Sequence, residues 1–251
     1  MREDRLEHSH SSTAIQRRLE QGPQHSYLKD FIYGAVDGAV TTFAVVAGVA
    51  GAGLSIGIVI ILGIANLVAD GFSMAVSNFL ATRAEQQLLA QARAMEERHI
   101  TQVPEGEREE IRQIFAAKGF RGADLEKVVE VITADRKVWV DTMIREELGL
   151  TLDPGSPRRA SLTTFCAFVL VGMIPLFAFI LQWVLPEGVN QPFAWSAILT
   201  AIAFFIVGAF KSRFVGPGWF VSGIETLAVG SAAAALAFFV GKLLRSFVEI
   251  L

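Results

Sequence analysis

The chain has 251 residues, 52% of them hydrophobic, a mean hydropathy of +0.45 and a formal net charge of −3. Its one cysteine, Cys166, excludes an internal disulfide framework and a cysteine-based zinc site, and reads as a small buried hydrophobe in an apolar run. Nucleic-acid binding is excluded by the negative balance and the lack of a basic patch.

The charge is segregated. Fifteen of the 25 acidic and twelve of the 22 basic residues fall within 81–158, whereas 38–69, 161–186 and 188–210 carry none. Such runs read as membrane spans, since about 20 apolar residues cross the hydrocarbon core.

In chain order, residues 1–27 are polar and charged, with no cleavable signal peptide, and read as a flexible cytosolic tail. His8, His10 and His25 in it are metal-capable, but disorder is the simpler reading. The uncharged run from Gly38 to Ala69 is too long for one span and contains the break A-G-A-G-L-S-I-G. It splits into a first span over about 28–50 and a second over about 55–80. Three more follow at about 161–185, 192–210 and 218–240, with Pro175 placed to kink the third. Lys29, the block after Leu80 and the Lys211/Arg213 turn share one side, while 51–55 and 186–192 contain no Lys or Arg. The N-terminus and the charged block are therefore expected in the cytoplasm, with Lys242 and Arg245 weakly against.

The block at 81–158 has the size of a small helical domain. Its first helix continues the second span through Arg98. Pro104 then opens a second helix, with Glu105, Glu107, Glu109 and Glu110 suited to its early turns. A third runs over 122–148, with Leu125, Val129, Ile132, Trp139 and Met143 roughly on one face, and Gly149 closes it. The expected fold is an all-α membrane protein: five transmembrane helices with a three-helix cytoplasmic metal-binding insert between spans 2 and 3. The segments are 1–27, 28–80, 81–158 and 159–251.

Asp37 is the most informative residue. It sits in an otherwise uncharged stretch, with no Lys or Arg between Lys29 and Arg83. An intramembrane carboxylate costs a few kcal/mol or more, so it marks a functional path by default. On the second span Asn66, Asp70, Met74 and Asn78 recur at i+4, a polar stripe with a thioether in it, and Asp37, Met74 and Glu225 fall at similar depth, roughly 10 Å from the cytoplasmic ends. The bland alternative for the stripe is static interhelical hydrogen bonding. In the insert, Glu96 and His99 are an i,i+3 pair, as in di-iron bundles. Glu107 and Glu110 repeat that spacing, and Met143 and Glu147 stand at i,i+4. Each pair alone reads equally as a solvated face or, for Met143, as core.

The stretches Y-G-A-V-D-G-A-V-T-T-F and N-L-V-A-D-G-F-S-M-A-V-S-N-F-L-A, the block opening R-A-E-Q and the segment K-V-W-V-D-T-M-I-R-E-E-L-G-L resemble the vacuolar iron transporter family, in its order, over about 29–251. The resemblance implies a homodimer that exchanges cytosolic Fe²⁺, or Mn²⁺, for protons and has no resident cofactor. It implies membrane metal ligands at Asp37 and Met74, and insert ligands at Glu96, Glu107, Glu110, Met143 and Glu147. Asn66 departs from a glutamate in relatives, with Asp70 one turn on to compensate. His99 stands where a further insert glutamate is expected, which leaves the metal preference open. Glu225 maps to no family role and is expected to carry a coupling proton. The short, cysteine-poor chain points to a bacterial inner membrane, with lipid and divalent metal as partners. Two alternatives stand beside the carrier: a membrane-anchored di-iron oxidase and a metal sensor without flux.

Overall fold

The computed structural model describes residues 11–21, 25–185, 190–216 and 218–248. His8 and His10 lie outside them. Among the described residues the regular elements are ten α-helices, with no strand. Within the stretch read as a tail, α1 spans Ser12–Gln21. After it come α2 (Leu28–Gly51), α3 (Ile56–Gln102), α4 (Pro104–Ala117), α5 (Gly122–Ala134) and α6 (Arg136–Glu146). The remainder is α7 (Pro157–Gly172), α8 (Ile174–Val184), α9 (Pro192–Val215) and α10 (Trp219–Val248).

The chain divides into two compact units, one of Tyr27–Ala81 with Pro157–Leu251, the other of Met1–Ser26 with Thr82–Ser156. The first is the apolar one. Four of its helices, α2, α3, α9 and α10, are each long and apolar enough to cross a membrane, and the α7–α8 pair passes the same test as one broken span. Its interior packs Phe43, Val46, Leu67, Phe168, Leu176 and Phe204. Its outside is apolar too: Ile61, Val68, Phe72, Phe177 and Trp183 are all more than half exposed. Water tolerates no surface of that extent, and lipid does.

Two small residues set a close helix contact of this unit. Gly34 and Gly38, one turn apart on α2, lie against the backbone of α7, where an added Cβ would stand 2.4 Å from the Thr164 carbonyl oxygen and 2.3 Å from that of Phe168. Close approach through a small residue every four positions is the usual way apolar helices associate in lipid, where burial from water supplies no driving force. The expected kink is present: α7 and α8 meet at 50° across Met173, with Pro175 at the start of α8. The proline lacks an N–H and its ring displaces the carbonyl four residues back.

Several helices overrun the boundaries expected from hydropathy. α9 continues to Val215 and stops at Gly216, whose φ of +88° is left-handed, and α10 continues to Val248. Helix ends are set by capping geometry, while the apolar run records only where lipid contact stops.

The second unit has its own apolar core of Ile100, Ile111, Val129, Trp139, Val140 and Met143. The third insert helix expected over 122–148 is two helices here. Asp135 breaks it, with φ −112° and ψ 114°, and its carboxylate accepts hydrogen bonds from the Lys137 and Val138 amides. An aspartate with that geometry is an N-cap, so α6 begins afresh. His25 is placed here too: its ring lies against Gly155 (φ +80°), whose carbonyl accepts from Gln86 Nε2 at 2.7 Å.

Candidate metal-binding sites

The site in the charged unit begins with a proline. Pro104 disfavours helical geometry at Val103, which adopts φ −137° and ψ 54° and separates α3 from α4 by a single residue. The first turn of α4 therefore folds back beside the last turns of α3. Glu96 and His99, one turn apart on α3, meet Glu107 from α4, with one ligand-type atom of each lying within 4.8 Å of the others.

Burial makes this more than a cluster of surface acids. Glu96 is 1% exposed and Glu107 5%. The two carboxyl groups share a hydrogen bond, and His99 Nδ1 stands 3.4 Å from Glu107 Oε1. Oε2 of Glu96 and Oε2 of Glu107 are both buried without a hydrogen-bond partner. A buried, unsatisfied carboxylate oxygen costs a few kcal/mol unless a proton or a cation reaches it. Glu96 is pushed up to about 7, first by burial, then by the neighbouring charges of Glu147 and Glu107; the His99 imidazole opposes this and Glu110 adds to it. Glu107 is raised as well, chiefly by burial and then by Glu110, and Glu147 is raised by partial desolvation against its neighbours and then by Glu110.

Glu110 and Glu147, both exposed, thus belong to the same electrostatic group as the central pair. Met143 is fully buried among Ile100, Ile111 and Ile144. Ile100 lies one turn beyond Glu96, Ile111 one turn beyond Glu107, and Glu147 one turn beyond Met143. Met143 thus shares an apolar cluster with Ile100 and Ile111, each of which lies one helical turn from a carboxylate of the group.

In the apolar unit the α3 stripe exists as a feature: Asn66, Asp70, Met74 and Asn78 are all half-buried, as is Asp37 on α2. The charged group acting on Asp37 is another carboxylate, Asp70. Asn66 Nδ2 approaches Thr41 Oγ1 at 3.5 Å, and that hydroxyl donates to the Asp37 carbonyl at 2.8 Å. Asn78 has a different role. Its amide donates to Asp30 Oδ1 at 2.8 Å and meets Thr164 Oγ1 at 2.7 Å, tying α2, α3 and α7 together.

The profile of the VIT family matches residues 28–242. The chain belongs to that family. It is similar to a vacuolar iron transporter of Toxoplasma gondii, 34% identical over 87% of this chain and 74% of that protein. A vacuolar iron transporter of Plasmodium berghei is 32% identical over 95% and 90% of the two chains, and vacuolar iron transporter 1 of Arabidopsis thaliana 34% identical over 87% and 86%. This VIT-family chain is therefore a multi-pass membrane protein from a family of metal-ion transporters. The expectation of a bacterial inner membrane finds no support in these relatives, which are eukaryotic and named for the vacuole.

Two residues look different once the helices are assembled. Glu225 on α10 has a basic partner, Lys211 Nζ of α9, at 3.5 Å. The two are 14 positions apart, so only the α9–α10 pairing reveals the contact. Asp30 was not singled out from sequence, since beside Lys29 at the start of a span it looks like an ordinary boundary charge. Its signal was periodicity: it precedes Asp37 by seven residues, two helical turns on one face.

Proposed function

We propose that the chain carries divalent metal, Fe²⁺ foremost and Mn²⁺ in the second place, out of the cytosol in exchange for protons, as a homodimer of five-span protomers. The observation that supports this best is the pair of buried carboxylates, Glu96 and Glu107, each with an unpartnered oxygen, beside the imidazole of His99. Such a group is poorly satisfied without a cation, and N/O donors of this kind suit first-row divalent metals.

In this reading the insert loads metal from the cytosol. Glu96, His99 and Glu107 form its centre, Glu110 and Glu147 draw cations towards it, and Met143 offers a thioether from the adjoining apolar cluster. Asp37, Asp70, Met74 and Asn66 take the ion within the membrane. Asp37 and Asp70 act on one another as like charges. A cation between them relieves that repulsion, and so does a proton on either one. Protons moving inward therefore compete with the metal and release it. Transport requires binding that is weak enough to reverse, so the membrane site has modest affinity.

The test is anaerobic Fe²⁺ flux into proteoliposomes, with and without a pH gradient, for the wild type and Asp37→Ala. Gradient-dependent flux that the substitution removes is the expected result. Metal binding without flux in the wild type would favour a sensor, and oxygen consumption with Fe²⁺ oxidation would favour a di-iron oxidase.

A further inference from the structure

The central donor set of the insert is mixed. Of the three residues whose ligand atoms lie within 4.8 Å of one another, two are carboxylates and one is an imidazole. The carboxylates are buried and His99 is about half exposed on its side chain, so the imidazole stands on the open side of the group. An ion reaching the centre of the group thus meets the imidazole before the two buried carboxylates.

Nitrogen and oxygen donors rank metals differently. Affinity for any such site rises from Mn²⁺ through Fe²⁺ and Co²⁺ to Ni²⁺. Imidazole suits Fe, Ni, Cu and Zn, whereas an all-oxygen set suits Mg²⁺, Ca²⁺ and Mn²⁺. From this geometry we infer that His99 is the specificity-determining residue of the insert, making it select Fe²⁺, Co²⁺, Ni²⁺ and Zn²⁺ over Mn²⁺. The inference rests on the reading of this group as a metal site and goes beyond it by naming which metals it takes.

A competing role for His99 is visible in the same contact. As an imidazolium 3.4 Å from Glu107 Oε1, it would only neutralise the carboxylates. The two roles have different consequences. Loss of a charge partner changes affinity for every divalent cation by a similar factor, whereas loss of a nitrogen donor changes the ratio between metals. A carboxylate at position 99 separates them further, because it restores a ligand while removing the nitrogen.

The experiment is calorimetric titration of the full chain in detergent with CoCl₂ and with MnCl₂, at fixed pH, for the wild type, His99→Glu, His99→Gln and the control Glu96→Gln/Glu107→Gln. The expected result is a Co²⁺/Mn²⁺ affinity ratio that falls about tenfold in both His99 variants, with Mn²⁺ binding retained in His99→Glu. Retained Mn²⁺ binding also shows that this variant has kept its fold. A bound-ion count that drops in the double control, with the ratio unchanged in both His99 variants, would overturn the selectivity role alone. A bound-ion count that the double control leaves equal to that of the wild type, or binding absent from the wild type, would overturn the insert site itself and the inference with it.

Discussion

Glu96 and Glu107 approach from consecutive helices, share a hydrogen bond, and are 1% and 5% exposed with an unpartnered oxygen apiece. That relationship dictates how the insert responds to protons. Glu96 titrates near 7 in the folded chain against an ordinary value of 4.5. Between those values the folded state holds a proton that the unfolded state has lost, so apo stability falls as pH rises through this window. Amide protection in α4–α6, taken relative to the intrinsic exchange rate at each pH, is expected to fall from pH 5 to pH 7.5 without metal. Divalent metal should reverse the effect above pH 7, and its affinity should be lower at pH 6, where it must displace the proton.

Replacing Glu96 by glutamine removes the buried charge and keeps the shape. Apo stability is expected to rise by about 1 kcal/mol at pH 8, read as slower exchange in α3 and α4. Affinity for Co²⁺ should fall at least about tenfold. Gain in stability and loss of binding in one variant is the mark of a site that holds strain for a ligand.

Met143 separates packing from ligation. Met143→Ala should destabilise the insert by about 2–5 kcal/mol, because it opens a cavity in a fully buried cluster. Met143→Leu conserves volume and should cost less than about 1.5 kcal/mol. With the fold intact, a severalfold loss of Fe²⁺ affinity in Met143→Leu is expected from the missing sulfur. Unchanged affinity would assign the residue to packing alone.

Gly38 has no room for a side chain, since even a methyl group would stand 2.3 Å from the Phe168 carbonyl oxygen. Gly38→Ala is expected to push α2 from α7, lower the thermal midpoint in detergent and abolish flux. Metal titration of the insert should be unaffected.

The Lys211–Glu225 pair predicts a charge-swap result. Glu225→Gln should reduce flux by leaving Lys211 without this partner. Lys211→Glu combined with Glu225→Lys should restore most of it. A swap that stays inactive, with gradient dependence lost, would favour the proton-carrying role expected from sequence.

Much was legible from sequence because the controlling physics is local. The apolar runs, the breaks between them, the Pro175 kink and the opening of α4 at Pro104 each follow from the preferences of a few neighbouring residues. The i,i+4 stripe on α3 was equally visible, because helical periodicity places those residues on one face whatever packs against it. Asp135 was the local failure: within a long helical pattern its capping role was hidden, and one helix was expected where two form.

What only the tertiary structure decided was partnership. Glu96 and His99 were recognisable as a pair, but the burial of Glu96 and Glu107 and the lack of a hydrogen-bond partner at the Oε2 atom of each depend on how α3, α4 and α6 pack. The ties from Asn78 to Asp30 and Thr164, and from Lys211 to Glu225, join residues far apart in the chain. Spacing along one helix states which side chains share a face. Which group that face meets is a property of the assembled helices, and desolvation and charge pairing are determined there.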